Sequence, residues 1–200
     1  MTVEELAREI ARGLIATGVE GGYNSISCST AGDYPSIGCS QWEGGRADNL
    51  LSQIPGGDHF ANRAYSDIEE SGELEDLAEL LGSPEGQIAQ LNQLAKDCEM
   101  YVEELQEIAS LDDSRCLIYC GMWCPTSHYV VKRFLQNRES DYNLRDIDVL
   151  HTLFRYDYAT AAGCEEYWHG YANRADVTYW YATEVDLTTP YGVPPYEKEE

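Results

Sequence analysis

"TGVEGGYNSISCSTAGDYPSIGCSQW", residues 17–42, decides how this chain is read. Before it, Val3, Leu6, Ile10, Leu14 and Ile15 recur at helical spacing. Within it that spacing stops. Gly21, Gly22, Gly32, Pro35 and Gly38 punctuate short β-tolerant runs, which reads as a small β-hairpin or paired loops over 21–41. Two acids stand in the stretch, Glu20 and Asp33. A glutamate directly after an apolar helix, followed by a polar loop, is a placement that chemistry can use.

Upstream, Thr2 and Glu5 form a capping-box pattern, so a helix is expected from Thr2 to about Val19. Downstream, "EGGRADNLLSQI" resumes helical spacing until Pro55-Gly56-Gly57. A helix is expected within 58–70, and another over "ELEDLAELLG", ending at Gly82. Ser83-Pro84-Glu85 opens a long helix running to about Ala109. "DDSRCLIYCGMWC" is nearly apolar through its middle and reads as a buried central helix closed by Pro125. "TSHYVVKRFLQNR" ends in basic residues that suit a helix C-terminus, and two further helices are expected at about 144–161 and 164–182. The fold class is therefore mainly α with a small β-hairpin, an α+β arrangement. One domain is expected over 1–185, with a Pro-rich acidic tail at 186–200.

Composition narrows the partners. The chain has 13 Lys and Arg against 36 Asp and Glu, a net charge of −23. Such a surface repels nucleic acid and anionic membranes, and it suits a basic partner or simple solvation. No stretch approaches the roughly 18 apolar residues of a spanning helix. The N-terminus lacks a basic leader followed by an apolar core, so synthesis in the cytoplasm without a signal peptide is expected. Cys116, Cys120 and Cys124 follow at i, i+4, i+8, a spacing that suits buried thiols better than a metal site. Cys28 and Cys39 flank the hairpin and would pair only in an oxidising setting. His128, His151 and His169 show no ligand spacing, and "YWHGYANRADVTYWY" reads as packing. No metal and no cofactor are expected.

Glu20 sits where the helix end leaves its carboxyl near apolar packing. Desolvation there would favour the protonated form, as a general acid requires. Glycosidic cleavage needs such an acid and usually a second carboxylate. Asp33 lies 13 residues further on, in the hairpin, and a hairpin folding back would turn it toward Glu20. Asp33 is equally an ordinary turn residue.

At this point a family comes into view. Glu20, Gly21, Gly22 and Tyr23, then Asp33, then Ser36, Ile37, Gly38, Gln41 and Trp42, then Gly45, Arg46 and Ala47 resemble the catalytic region of lysozyme-like phage endolysins and related bacterial wall hydrolases. "CLIYCGMWCPTSHYVVKRFL" is similar to that family's central helix and its successor, and "YANRADVTYWYA" to its closing helix. The resemblance implies a lysozyme-like fold and a glycosidase, a muramidase or glucosaminidase cleaving bacterial peptidoglycan, with a lytic transglycosylase as a variant. Glu20 would be the general acid. Asp33 would be the second acid, although the family's acid is followed directly by a small residue and glycine, where this chain has Tyr34-Pro35. Glu43 is the reserve. Ser36 would hold the attacking water. Tyr23, Gln41 and Trp42 would line the sugar cleft, an indole being able to stack on a pyranose face or equally to serve as core. Action on the wall would follow release from the cell or incorporation in a phage particle, with targeting supplied by a partner subunit or larger assembly. Two other readings stand beside this one: a non-enzymatic acidic protein that mimics nucleic-acid charge for a basic partner, and a catalytically dead domain that keeps glycan binding.

Overall fold

The first helix, α1, spans Val3–Thr17. Its start is fixed by a reciprocal cap: the Glu5 amide donates to Thr2 Oγ1 at 3.2 Å, and the Thr2 amide donates to Glu5 Oε2 at 2.7 Å. Leu6, Ala7, Ile10, Ala11 and Leu14 are buried along one stripe. Gly18 ends the helix in the left-handed conformation, with φ 64°. These features belong to a computed structural model that describes residues 1–188. Among the described residues the protein is mainly helical, 64%, with one small two-stranded antiparallel sheet.

The chain falls into two compact units. One runs from Glu20 to Leu94; the other joins Met1–Val19 to the chain from Ala95 onward. The division runs through the stretch 1–185, where the sequence carries no linker. Part of the expected tail, 189–200, lies outside the described residues.

The Glu20–Leu94 unit opens with the hairpin. β1, Ile26–Cys28, pairs with β2, Pro35–Ile37, in the register Ile26 to Ile37, Ser27 to Ser36 and Cys28 to Pro35. Ile37 then bridges to Trp42, which folds the strand end back on itself. α2, Gly44–Leu51, follows, then a 3-10 turn at Gly57–His59, α3 at Tyr65–Glu70 and α4 at Leu74–Gly82. The helix expected over part of 58–70 forms over its last six residues. α5, Pro84–Gln106, starts in this unit and continues into the other. Ile37, Trp42, Leu50, Leu51, Ile68, Leu77 and Leu81 are buried. Ile88, near the start of α5, is 60% exposed.

In the other unit, α6, Ser114–Gly121, is capped by Asp113, whose side chain accepts from the Arg115 and Cys116 amides. α7 covers Cys124–Gln136, α8 covers Ile147–Ala162 and α9 covers Trp168–Glu184. Pro125 does not close the central helix. α6 has already ended at Gly121, and Pro125 stands in the first turn of α7. Proline is tolerated there because a first-turn amide has no helical partner to lose. A second break follows at Ser127, whose extended backbone interrupts α7 and whose Oγ accepts from the Val130 amide at 3.4 Å.

Helix packing in this unit depends on two missing side chains. A Cβ on Gly121 would stand 2.2 Å from Ile10 Cδ1, and one on Gly13 would stand 2.4 Å from Met122 Sδ. Trp123, Phe134, Phe154 and Tyr158 form one aromatic cluster, with ring centroids 4.6–5.3 Å apart among its pairs. Among the described residues, no helix is long and apolar enough to cross a membrane.

Candidate functional site

Glu20 stands two residues past the Gly18 cap and is half-buried. The next residue is pinned: the Gly21 amide donates to the Cys39 carbonyl at 2.8 Å. Burial pushes the Cys39 thiol up to about 12, and the nearby Glu20 charge adds to that. The Tyr23 phenol is raised by burial and then by Cys39. Glu20, Tyr23 and Cys39 therefore share one neighbourhood.

The hairpin end is held by its own side chains. Ser36, 4% exposed, donates to the Gln41 carbonyl at 3.2 Å. The Gln41 amide and Nε2 both donate to the Gly38 carbonyl, at 3.1 and 3.0 Å. Gln41 Oε1 accepts from Ser27 Oγ at 2.8 Å. Gln41 has φ 50°, a left-handed backbone that is uncommon for a residue with a side chain and costs of order 1–3 kcal/mol. Both ends of its side chain are thus committed to shaping the turn. Ser36 likewise serves the turn, where the sequence suggested a water-holding hydroxyl. Trp42 is 2% exposed, so its indole is core and offers no open face to a sugar. Its backbone position beside Ile37, inside the bridge, is what carries the ring inward.

Asp33 is exposed and used at both oxygens. Oδ1 accepts from the Ser66 amide at 2.9 Å and Oδ2 from Ser66 Oγ at 2.6 Å. These bonds, the hydroxyl first, hold its carboxyl below the usual range. Asp33 thus tethers the hairpin tip to the first turn of α3 and stays ionised. Glu43 is half-buried just before α2; its carbonyl accepts from the Arg46 and Ala47 amides, and its side chain makes no capping bond.

One residue of this neighbourhood escapes sequence reasoning altogether. Gln90, on α5 and fully buried, accepts from the Cys39 amide at 2.9 Å through Oε1. Its Nε2 donates to the Tyr23 carbonyl at 3.1 Å and to the Leu81 carbonyl at 2.9 Å. A glutamine within an amphipathic helix carries no signal of such a role. Only its position among apolar neighbours on the inward face of α5 sets it apart.

The remaining candidates sort as packing or surface pairs. Cys28 is exposed and Cys39 buried, and neither is in a disulfide. Cys116, Cys120 and Cys124 are buried, and burial raises all three thiols, Cys116 to about 12. Among the described residues, no group of three or more His, Cys, Asp or Glu is arranged to hold a metal. His128 bonds Glu104 at 2.7 Å and His151 bonds Asp176 at 2.8 Å. The α9 aromatic segment, read as packing, also lines a groove of about 420 Å³ through Tyr167, Tyr171, Asn173 and Arg174, together with the end of α1 in the same unit. Arg174 is set there by donating to the Met122 carbonyl at 2.8 Å.

No protein-family model matches this chain, and comparisons with curated proteins and with solved structures find no match either.

Proposed function

We propose that the protein is a peptidoglycan-cleaving glycoside hydrolase of lysozyme-like fold, with Glu20 as its general acid. The reading is carried by one observation. The two halves of the motif, "EGGY" and "SIGCSQW", are joined by the Gly21–Cys39 hydrogen bond, with Glu20 close enough to Cys39 to act on its thiol. Segments placed apart in sequence thus share one hydrogen-bonded frame beside Glu20.

In this mechanism Glu20 gives its proton to the leaving glycosidic oxygen. Asp33, kept ionised by Ser66, fits the role of a group that remains negative, stabilising the sugar cation or orienting a water. Glu43 is the other candidate for that role. A separation of about 5–5.5 Å between the two carboxyls would make the enzyme retaining, and about 6.5–9.5 Å inverting. Among the residues expected to meet the sugar, Tyr23 is half-buried and partly open to it, whereas Gln41 and Ser36 act by shaping the turn.

The charge favours a second reading, an acidic protein that binds a basic partner. Between Arg63 and Lys96 the chain carries eight acids and no Lys or Arg, from Asp67 to Glu85. One preparation separates the two. Purified protein incubated with peptidoglycan is expected to release reducing ends or anhydro-sugars, identified by mass spectrometry. Glu20→Gln should lower that release at least about a hundredfold, the scale of general-acid catalysis, with the unfolding midpoint unchanged. Full activity in Glu20→Gln removes the assignment. An inactive wild type that binds a basic protein in a salt-sensitive manner replaces it with the second reading.

A further inference from the structure

We propose that Gln90 is the positioning residue of Glu20. It holds, through one buried amide, the two backbone segments between which the loop after Glu20 is fixed. This deepens the glycosidase reading and rests on it for its catalytic meaning.

The geometry is a three-way clasp. Through Oε1, Gln90 receives the Cys39 amide at 2.9 Å, and through Nε2 it donates to the Tyr23 carbonyl at 3.1 Å and the Leu81 carbonyl at 2.9 Å. Both amide hydrogens and one acceptor position are thus satisfied, as a buried polar group demands. Cys39 passes the constraint on, because its carbonyl receives the Gly21 amide at 2.8 Å. The chain just after Glu20 is therefore anchored twice. The residue after Glu20 is bonded to Cys39, and the residue three after it is bonded to the side chain that also holds Cys39.

The neighbouring chain is cut to admit this side chain. A Cβ at Gly38 would lie 2.6 Å from Gln90 Oε1 and 3.1 Å from its Cδ, and Gly38 has φ 74°. A side chain there would meet both steric and backbone penalties. The clasp joins positions 51 and 67 residues apart in sequence, so no local structure supplies it. Glutamine fits the place because it offers a donor and an acceptor on one short arm without charge. A leucine fills similar volume and leaves the Cys39 amide and two carbonyls unpaired.

Catalytic groups must be held within fractions of an ångström, and a misplacement of about 1 Å can cost about a hundredfold in rate. Gln90→Leu is expected to lower kcat on peptidoglycan about 10- to 100-fold with KM little changed. Gln90→Glu keeps the acceptor for Cys39. When protonated it also returns one donor; when ionised it turns a charge on the Tyr23 and Leu81 carbonyls. It should therefore recover toward wild-type behaviour as pH falls, which Gln90→Leu should not.

One measurement needs no turnover: amide exchange at Gly21 and Cys39. Gln90→Leu should lower protection at Gly21 and Cys39 at least about tenfold relative to the rest of the unit. A residue with only a bulk structural role would lower protection evenly. That result, or unchanged protection at both amides, overturns the proposal. If Gln90→Leu does not fold, Gln90→Glu is read in the same way across pH. A wild type that cleaves no peptidoglycan defeats the glycosidase reading alone, because the exchange data still decide whether Gln90 fixes the loop after Glu20.

Discussion

Among the described residues, the larger unit buries six big aromatic side chains, Tyr119, Trp123, Phe134, Phe154, Tyr158 and Tyr181, whereas the Glu20–Leu94 unit buries two, Trp42 and Phe60. Buried polar side chains run the other way. Among the described residues, Ser29, Ser36, Gln90 and Gln93 lie in the smaller unit, and Glu9 and Thr178 in the larger. The larger unit is fixed by shape and apolar area, which many side chains supply with little regard to direction. The smaller unit is fixed by directional bonds from side chains to distant backbone. Gln93 extends the pattern by donating to the Arg46 carbonyl at 3.0 Å. A loop that must hold one carboxylate in place gains more from direction than from bulk.

The hardest test of this contrast is a deletion in the aromatic cluster. Phe154 touches Tyr119, Trp123, Phe134 and Tyr158 and is fully buried. Phe154→Ala should cost about 3–5 kcal/mol in urea denaturation. A loss below about 1 kcal/mol would mean that the cluster collapses onto the gap and does not hold the unit by shape.

pH should separate the units next. In the smaller unit Glu73 is held at about 2 by Ser71, His59 and Arg63, and Asp33 is lowered by Ser66. The unfolded chain binds more protons than the folded one between their folded and unfolded values. Their stabilising contribution is therefore complete above about pH 5 and is lost as pH falls toward 2. In the larger unit burial raises Cys116 and Tyr158 to about 12 and lifts Cys120, Cys124, Tyr119 and Tyr181 as well. Here the folded state binds more protons above about pH 9. Stability is complete below that and is lost as pH rises toward 12. The smaller unit carries Cys39 on the same side, and the larger carries Asp112, lowered by Arg145, on the acid side. Residue-resolved amide exchange should show α3 and α4 loosening first in acid and α6 loosening first in alkali. Simultaneous loosening at both extremes would break the contrast.

The same contrast explains what could be read in advance. α1, α4, α5, α8 and α9 follow from apolar spacing and caps, because periodicity records burial against a neighbouring surface. The hairpin was legible from its glycines and Pro35. The work done by Asp33, Ser36 and Gln41 was not, since a polar side chain looks the same in sequence whether it faces a substrate or a backbone amide. Trp42 stayed open between sugar face and core for a related reason: a lone tryptophan after a turn has no period to say which way it points. Gln90 left no trace because its three partners lie in three other segments.

The smallest effects come from two glycines in helices, one in each unit. A Cβ at Gly121 would stand 2.2 Å from Ile10 Cδ1 and 2.8 Å from its Cγ1, so Gly121→Ala must push a packed isoleucine aside at a cost of about 1–3 kcal/mol. Gly45, in the first turn of α2, has nothing within 4 Å of the place a Cβ would occupy and is exposed. Gly45→Ala should instead gain about 0.5–1 kcal/mol, because alanine loses less backbone freedom on entering a helix. Thermal unfolding of the two variants beside the wild type should move in opposite directions. If Gly45→Ala also destabilises, the start of α2 is held by contacts tighter than open space allows, and the smaller unit depends on shape at that point as the larger one does.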